Sequence, residues 1–88
     1  MQKWRVTITE SAVRDLRRLP SQVQDEIAQR HIPAIAQNPY AGKPLKGAFK
    51  GVRAYRFGHH PEYRILYRIV GDEVRIVQIG KREDIYRR

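Results

Sequence analysis

Glu62-Tyr63-Arg64-Ile65-Leu66-Tyr67-Arg68-Ile69-Val70-Gly71-Asp72-Glu73-Val74-Arg75-Ile76-Val77-Gln78-Ile79-Gly80-Lys81-Arg82 is the stretch on which the fold turns. Two runs rich in β-branched and aromatic residues, Tyr63 to Val70 and Glu73 to Ile79, flank Gly71-Asp72, a dipeptide that readily adopts the backbone of a tight hairpin. The stretch therefore predicts two antiparallel strands. Successive side chains of a strand point to opposite faces, so Tyr63, Ile65, Tyr67 and Ile69 share one face while Arg64, Leu66 and Arg68 share the other. The aromatic and aliphatic row is the candidate core face; the arginine row predicts an open, basic face.

Upstream, Val52 to Phe57 reads as a further strand, joined to the hairpin by Gly58-His59-His60-Pro61-Glu62. Residues 40–51 hold three glycines, one proline and three lysines, so they read as a loop with Leu45 and Phe49 as apolar anchors. Trp4, Val6 and Ile8 alternate with Lys3, Arg5 and Thr7, which predicts a first strand over residues 3–8. Thr9 can cap a helix whose stripe is Ala12, Val13, Leu16 and Leu19, with Arg14, Asp15, Arg17 and Arg18 facing water and Pro20 ending it. Ser21 and Gln24 have capping-box spacing, and Val23, Ile27, Ala28, His31, Ala34 and Ile35 continue a second stripe that Pro33 should kink or stop. Asn38-Pro39 closes the helical region. The order is β-α-α-β-β-β, an α+β domain spanning 1–88, with a helical hairpin packed on one face of a small, mainly antiparallel sheet.

The chain has 88 residues, enough for a single modest core, and no cysteine, which excludes disulfides, thiolate nucleophiles and Cys-ligated zinc. Only histidines and carboxylates remain as metal ligands, and their spacing implies neither a metal site nor a cofactor. Charge at Lys3, Arg5 and Glu10 and the lack of a long apolar run argue against a signal peptide or membrane span, so the expected location is cytoplasmic. The formal net charge is +9, and it is uneven: residues 1–40 carry net +2, residues 41–88 net +7. Between 43 and 68 stand seven basic residues (Lys43, Lys46, Lys50, Arg53, Arg56, Arg64, Arg68) and one acid, Glu62. A solvated sheet face would account for part of this. Basic residues interleaved with Tyr and Phe also suit single-stranded nucleic acid, because phosphates take Lys and Arg while unstacked bases take aromatic rings.

Glu62 through Ile69, then Val74 through Arg82, then Asp84-Ile85-Tyr86-Arg87, resemble the ending of RelE-family toxins of bacterial and archaeal toxin–antitoxin modules. The opening Val6-Thr7-Ile8-Thr9, with Ala12, Asp15, Leu16 and Leu19-Pro20, and the segment Pro44-Leu45-Lys46-Gly47 are similar as well, so the likeness covers nearly the whole chain. The resemblance implies a ribosome-dependent endoribonuclease that cuts mRNA in the A site and is neutralised by a cognate antitoxin. Carried over residue by residue, Arg64, Arg82 and Tyr86 are the implied catalytic residues, while Lys46, Lys50, Arg53, Arg56, Arg68 and Lys81, from the basic second half of the chain, are the candidate RNA contacts. The best-known members also use two lysines on the second strand, where this chain has Arg53 and Arg56; either could fill that place, and arginine is no general base at neutral pH.

Two other functions fit the same residues less specifically: a ParE-like toxin that binds DNA gyrase, and a non-catalytic RNA-binding module. His59-His60 offers imidazoles, but in an extended segment adjacent side chains point apart, so the pair is not expected to serve one phosphate or one metal. His31, on the apolar stripe, reads as a hydrogen-bonded core residue.

Overall fold

The computed structural model describes residues 4–85. In chain order it forms β1 (Arg5–Ile8), α1 (Glu10–Arg17), α2 (Ser21–Glu26), a π-helical turn (Ile27–His31), α3 (Ile32–Gln37), β2 (Lys43–Pro44), β3 (Arg53–Phe57), β4 (Tyr63–Val70), β5 (Glu73–Lys81) and α4 (Arg82–Ile85). Among the described residues the strands make one five-stranded sheet in the order β1-β5-β4-β3-β2. Every pairing is antiparallel except β1 with β5, which is parallel. The α+β class, the helical layer and the mainly antiparallel sheet agree with the sequence reading. The loop expected at 40–51 instead contributes an edge strand, β2, with Lys43 opposite Ala54 and Pro44 opposite Arg53.

The main core lies between helices and sheet. Ala12, Ile27 and Ile35 meet Ile65, Tyr67, Val74, Ile76 and Ile79, all buried. The Thr9 hydroxyl accepts from Ala12 N–H at 3.2 Å and starts α1 as expected. No capping box forms at Ser21: the helix already includes it, Pro20 is the cap, and the Gln24 amide donates to the Leu19 carbonyl at 2.8 Å. Pro33 does not break the second helical run. Ile32 N–H donates to Ile27 C=O, five residues back, and this wide turn places Pro33 in the first turn of α3, where a missing N–H costs little.

Asp15 departs from its expected place in water. It is 4% exposed, and Oδ2 accepts from Ile79 N–H at 3.1 Å. The cause lies in β5, where the register jumps from Leu66 opposite Gln78 to Tyr67 opposite Ile76, so Val77 is an extra residue in the strand. Such a bulge interrupts the ladder and reverses the alternation beyond it. Val74 and Ile76 face the helices before it, Ile79 faces them after it, and Val77 turns to the opposite side. The α1 carboxylate takes the Ile79 N–H beyond that break.

The bulge also feeds a second core. Val52, Ala54, Leu66 and Ile85 are buried together, with Leu45, Phe49 and Val77 packed against them. The face expected to be open is thus roofed in its middle, and Leu66 does not stand among exposed arginines. The roof comes from the 3₁₀ turn Gly47–Phe49 and from α4. Tyr67, fully buried in the main core, ties down the approach to this roof. Its hydroxyl donates to Pro39 C=O at 2.5 Å and accepts from Gly42 N–H at 3.1 Å. A Cβ at position 42 would lie 2.1 Å from that hydroxyl, so only glycine fits.

Candidate functional site

Glu62 stands just before β4 and Arg64 two residues later, so both side chains leave the same face. Arg64 Nε donates to Glu62 Oε2 at 2.9 Å, and the Arg64 side chain is only 14% exposed. Arg56 on β3 is directly opposite Arg64. On the other side Arg64 pairs with Gly80 of β5, which adds no side chain to this face. Arg82 begins α4, and its backbone N–H donates to the Glu62 carbonyl at 2.9 Å. Two elements of the sheet and the start of α4 therefore bring Arg56, Arg64 and Arg82 around one carboxylate.

The electrostatics agree with this geometry. The Arg64 hydrogen bond holds the Glu62 carboxyl below the usual carboxylate range, against partial desolvation, and the charges of Arg64, Arg56 and Arg82 act in the same direction as the bond. Beside the cluster His59, His60, Pro61, Glu62, Arg82 and Glu83 line an open cavity of about 430 Å³. The two imidazoles do not point apart as an extended segment would place them. His60 has φ +54°, and the ring centroids lie 4.1 Å apart at 51°. Both rings therefore line one groove, which Arg82 also lines.

The other predicted contacts divide between the two faces. Arg68 is exposed on the same face of β4 as Arg64, and a Cβ at Gly51 would lie 3.2 Å from its Nη1, which puts that guanidinium beside Gly51; Lys50, next in sequence, is exposed. Lys46 is exposed just before the Gly47–Phe49 turn. Arg53 is on the helix side and acts as a clasp. Its Nη1 donates to Tyr40 C=O at 3.1 Å and Gly42 C=O at 2.7 Å, and its guanidinium lies 5.2 Å over the Tyr40 ring. Of the two second-strand arginines, then, Arg56 is the neighbour of Arg64. Lys81 pairs with Tyr63 and so sits on the face opposite Arg64. Tyr86 lies outside the described residues.

Sequence reasoning did not single out Glu62, although its signal was present: it is the lone acid among seven bases and two residues from Arg64. It also missed the partners of His31, which is 8% exposed. Nδ1 lies 2.8 Å from the Tyr55 hydroxyl, Nε2 lies 2.8 Å from Glu26 Oε2, and the ring stacks on Phe57 at 4.0 Å. Burial pushes the Tyr55 phenol up, with the Arg30 charge opposing and Glu26 assisting. This array is on the helix side of the sheet and fastens the π-helical turn to β3. Among the described residues no group of three or more His, Asp or Glu side chains is placed to hold a metal ion. The arginine cluster, by contrast, suits a phosphodiester: guanidinium groups stay charged, and their planar forks match phosphate oxygens.

Comparison with known proteins gives matches along almost the whole chain. The family model described as "ParE toxin of type II toxin-antitoxin system, parDE" matches residues 6–86. Toxin RelE of Mycobacterium tuberculosis is 33% identical over 87 residues, covering 96% of this chain and 87% of that protein. The solved toxin–antitoxin complex RelBE2 of Mycobacterium tuberculosis contains a chain that superposes with TM-score 0.81 at 30% identity, covering 91% of this chain and 99% of that one. The isolated RelE toxin of Escherichia coli shares the fold, with TM-score 0.70 at 20% identity over 94% of this chain and 90% of that one.

Proposed function

The chain belongs to the RelE/ParE superfamily of toxins from type II toxin–antitoxin systems, and on that premise we propose that it is a ribosome-dependent endoribonuclease that cuts mRNA in the A site. The observation that carries this reading is the convergence of Arg56, Arg64 and Arg82 at the end of the roofed sheet face. The substrate's own 2′-OH gives up its proton to solvent as its oxygen attacks the adjacent phosphate, a 2′,3′-cyclic phosphate forms, the P–O5′ bond breaks, and the leaving 5′-oxygen takes up a proton from solvent. That route needs no metal or cofactor. What the protein must supply is stabilisation of the extra negative charge and orientation of the reacting groups. Arg64, held by its Nε, clamps the scissile phosphate. Arg82 stabilises the charge on the leaving oxygen, and Tyr86 stacks on a base or orients the 2′-OH. Arg56, Arg68, Lys46 and Lys50 hold flanking phosphates on this face.

The partners are the ribosome with its mRNA, acting in the cytoplasm, and a cognate antitoxin, by analogy with the RelBE2 complex of the Mycobacterium tuberculosis relative. The test is incubation with translating ribosomes and mapping of cut mRNA ends. Arg64→Ala should lower the cleavage rate by about 10²–10³, the usual effect of losing one charge-stabilising donor, with little change in ribosome binding. The ParE description of the matching family favours one second reading, in which the chain binds DNA gyrase without cutting RNA. Intact mRNA on ribosomes together with inhibited gyrase supercoiling would select it.

A further inference from the structure

The acid at the centre of the arginine cluster does not fit a face built only to attract phosphates. A carboxylate among Arg56, Arg64 and Arg82 cancels part of the field that draws in RNA. Yet Glu62 is committed to this place twice over. Its side chain holds Arg64 by Nε at 2.9 Å, and its backbone carbonyl holds the Arg82 N–H at 2.9 Å. One residue thus links the start of β4 to the start of α4, the two segments that carry Arg64 and Arg82.

We propose that Glu62 is a positioning residue of the cleavage site and the resident counterion of its arginine cluster, fixing the plane of the Arg64 guanidinium at the expense of RNA affinity. The inference rests on the endoribonuclease reading. A guanidinium on a three-carbon stem has many rotamers, and a bond to Nε fixes the orientation of its fork before substrate arrives. The carboxylate meanwhile occupies the charge that a phosphate would otherwise neutralise. Glu62 therefore trades binding for rate, and the two are separable by experiment. The Arg64 bond that lowers the pKa of its carboxyl keeps the group ionised in this role.

Two variants divide the roles. Glu62→Gln keeps an oxygen acceptor for Arg64 Nε and drops the charge; Glu62→Ala drops both. Affinity is read with a short single-stranded RNA bearing a 2′-deoxy substitution at the cleavage position, so that nothing is cut, across a salt titration. Both variants should bind more tightly than wild type, with a logarithmic salt slope steeper by about 0.7, the increment for one more phosphate neutralised on a single strand. Single-turnover cleavage on ribosomes should fall roughly tenfold or more in Glu62→Ala, the scale expected of a misplaced catalytic group, and much less in Glu62→Gln. In an Arg64→Ala background, Glu62→Ala should cause no further loss of rate. A merely structural Glu62 would instead lower affinity and rate together and act equally in both backgrounds. Unchanged affinity and rate in Glu62→Ala, beside a cutting wild type, would overturn the proposal and leave the endoribonuclease reading intact. A wild type that cuts no mRNA would defeat that reading, and the deoxy-RNA titration would still report whether Glu62 is the counterion.

Discussion

At the residue scale, two polar side chains carry structural weight that their neighbours cannot replace. Tyr67 is the plainest, because its buried hydroxyl satisfies both Pro39 C=O and Gly42 N–H. Tyr67→Phe should cost about 1–3 kcal/mol in chemical denaturation, since a buried carbonyl and amide lose their partner at once. Burial raises the Tyr67 phenol above its ordinary 10.0, against the Gly42 bond and the Arg53 charge. The neutral phenol is the form the fold favours, so its contribution is complete below pH 10 and is lost as pH rises through the raised value. Melting temperature should therefore fall on the alkaline side, and that limb should flatten in Tyr67→Phe. Asp15 behaves likewise at the bulge. Asp15→Ala should destabilise by about 1–3 kcal/mol because it strips the acceptor from the Ile79 N–H, whereas Asp15→Asn retains an oxygen and should cost less.

At the element scale, the short pieces matter more than their length suggests. α4 has four residues, too few to be stable alone, and it is held by Ile85, which is 2% exposed in the second core, and by the Gln78 amide donating to Ile85 C=O at 3.1 Å. Ile85→Ala should release Arg82–Ile85, seen as faster amide exchange there than in β4 and β5, and under the proposed endoribonuclease function it should also reduce mRNA cleavage because Arg82 loses its fixed place. Unchanged exchange in α4 would show that Glu62 and Gln78 suffice to dock it. Periodicity made the hairpin, the first strand and the helical stripes legible. The bulge in β5 was not, because Val77 and Gln78 fit either face and only the competing pull of two cores selects which side Val77 takes. Asp15 was misplaced for the same reason: a carboxylate beside arginines on a helix reads as solvated until a strand presents an unpaired N–H to it.

At the scale of the whole molecule, charge sets two expectations. Glu62 and Glu73 are both held below the ordinary carboxylate value of 4.5, Glu62 first by Arg64 and Glu73 first by the Thr7 hydroxyl, which donates to it at 2.7 Å. A carboxylate depressed in the folded state contributes stability above its unfolded pKa and loses it as pH falls through the folded one. Melting temperature should thus drop as the solution is acidified below about pH 4.5, and Glu73→Gln should weaken that dependence, measured by thermal melts across pH 2–6. The net charge of +9 should make RNA or ribosome affinity fall steeply with salt, by about 0.7 logarithmic units per tenfold rise in salt for each phosphate engaged on a single strand. A saturating acidic antitoxin that binds only the folded toxin should raise the melting temperature by mass action.

The sequence by itself determined the α+β class, the central hairpin, the helical layer and the concentration of charge in the second half, because period, turn chemistry and charge are local properties of the chain. The position of Arg56 beside Arg64 follows from strand alternation once β3 and β4 are in register, but the register had to come from the folded sheet. The roof over the sheet face, the turning of both histidines onto one groove and the clasp of Arg53 on the opposite face were decided only by tertiary structure. Each depends on which of two faces a side chain can bury or satisfy, a choice made by partners far away in sequence. Glu62 belongs to both kinds: its spacing from Arg64 was written in the chain, and its bond to Arg82 required β4 and α4 to meet.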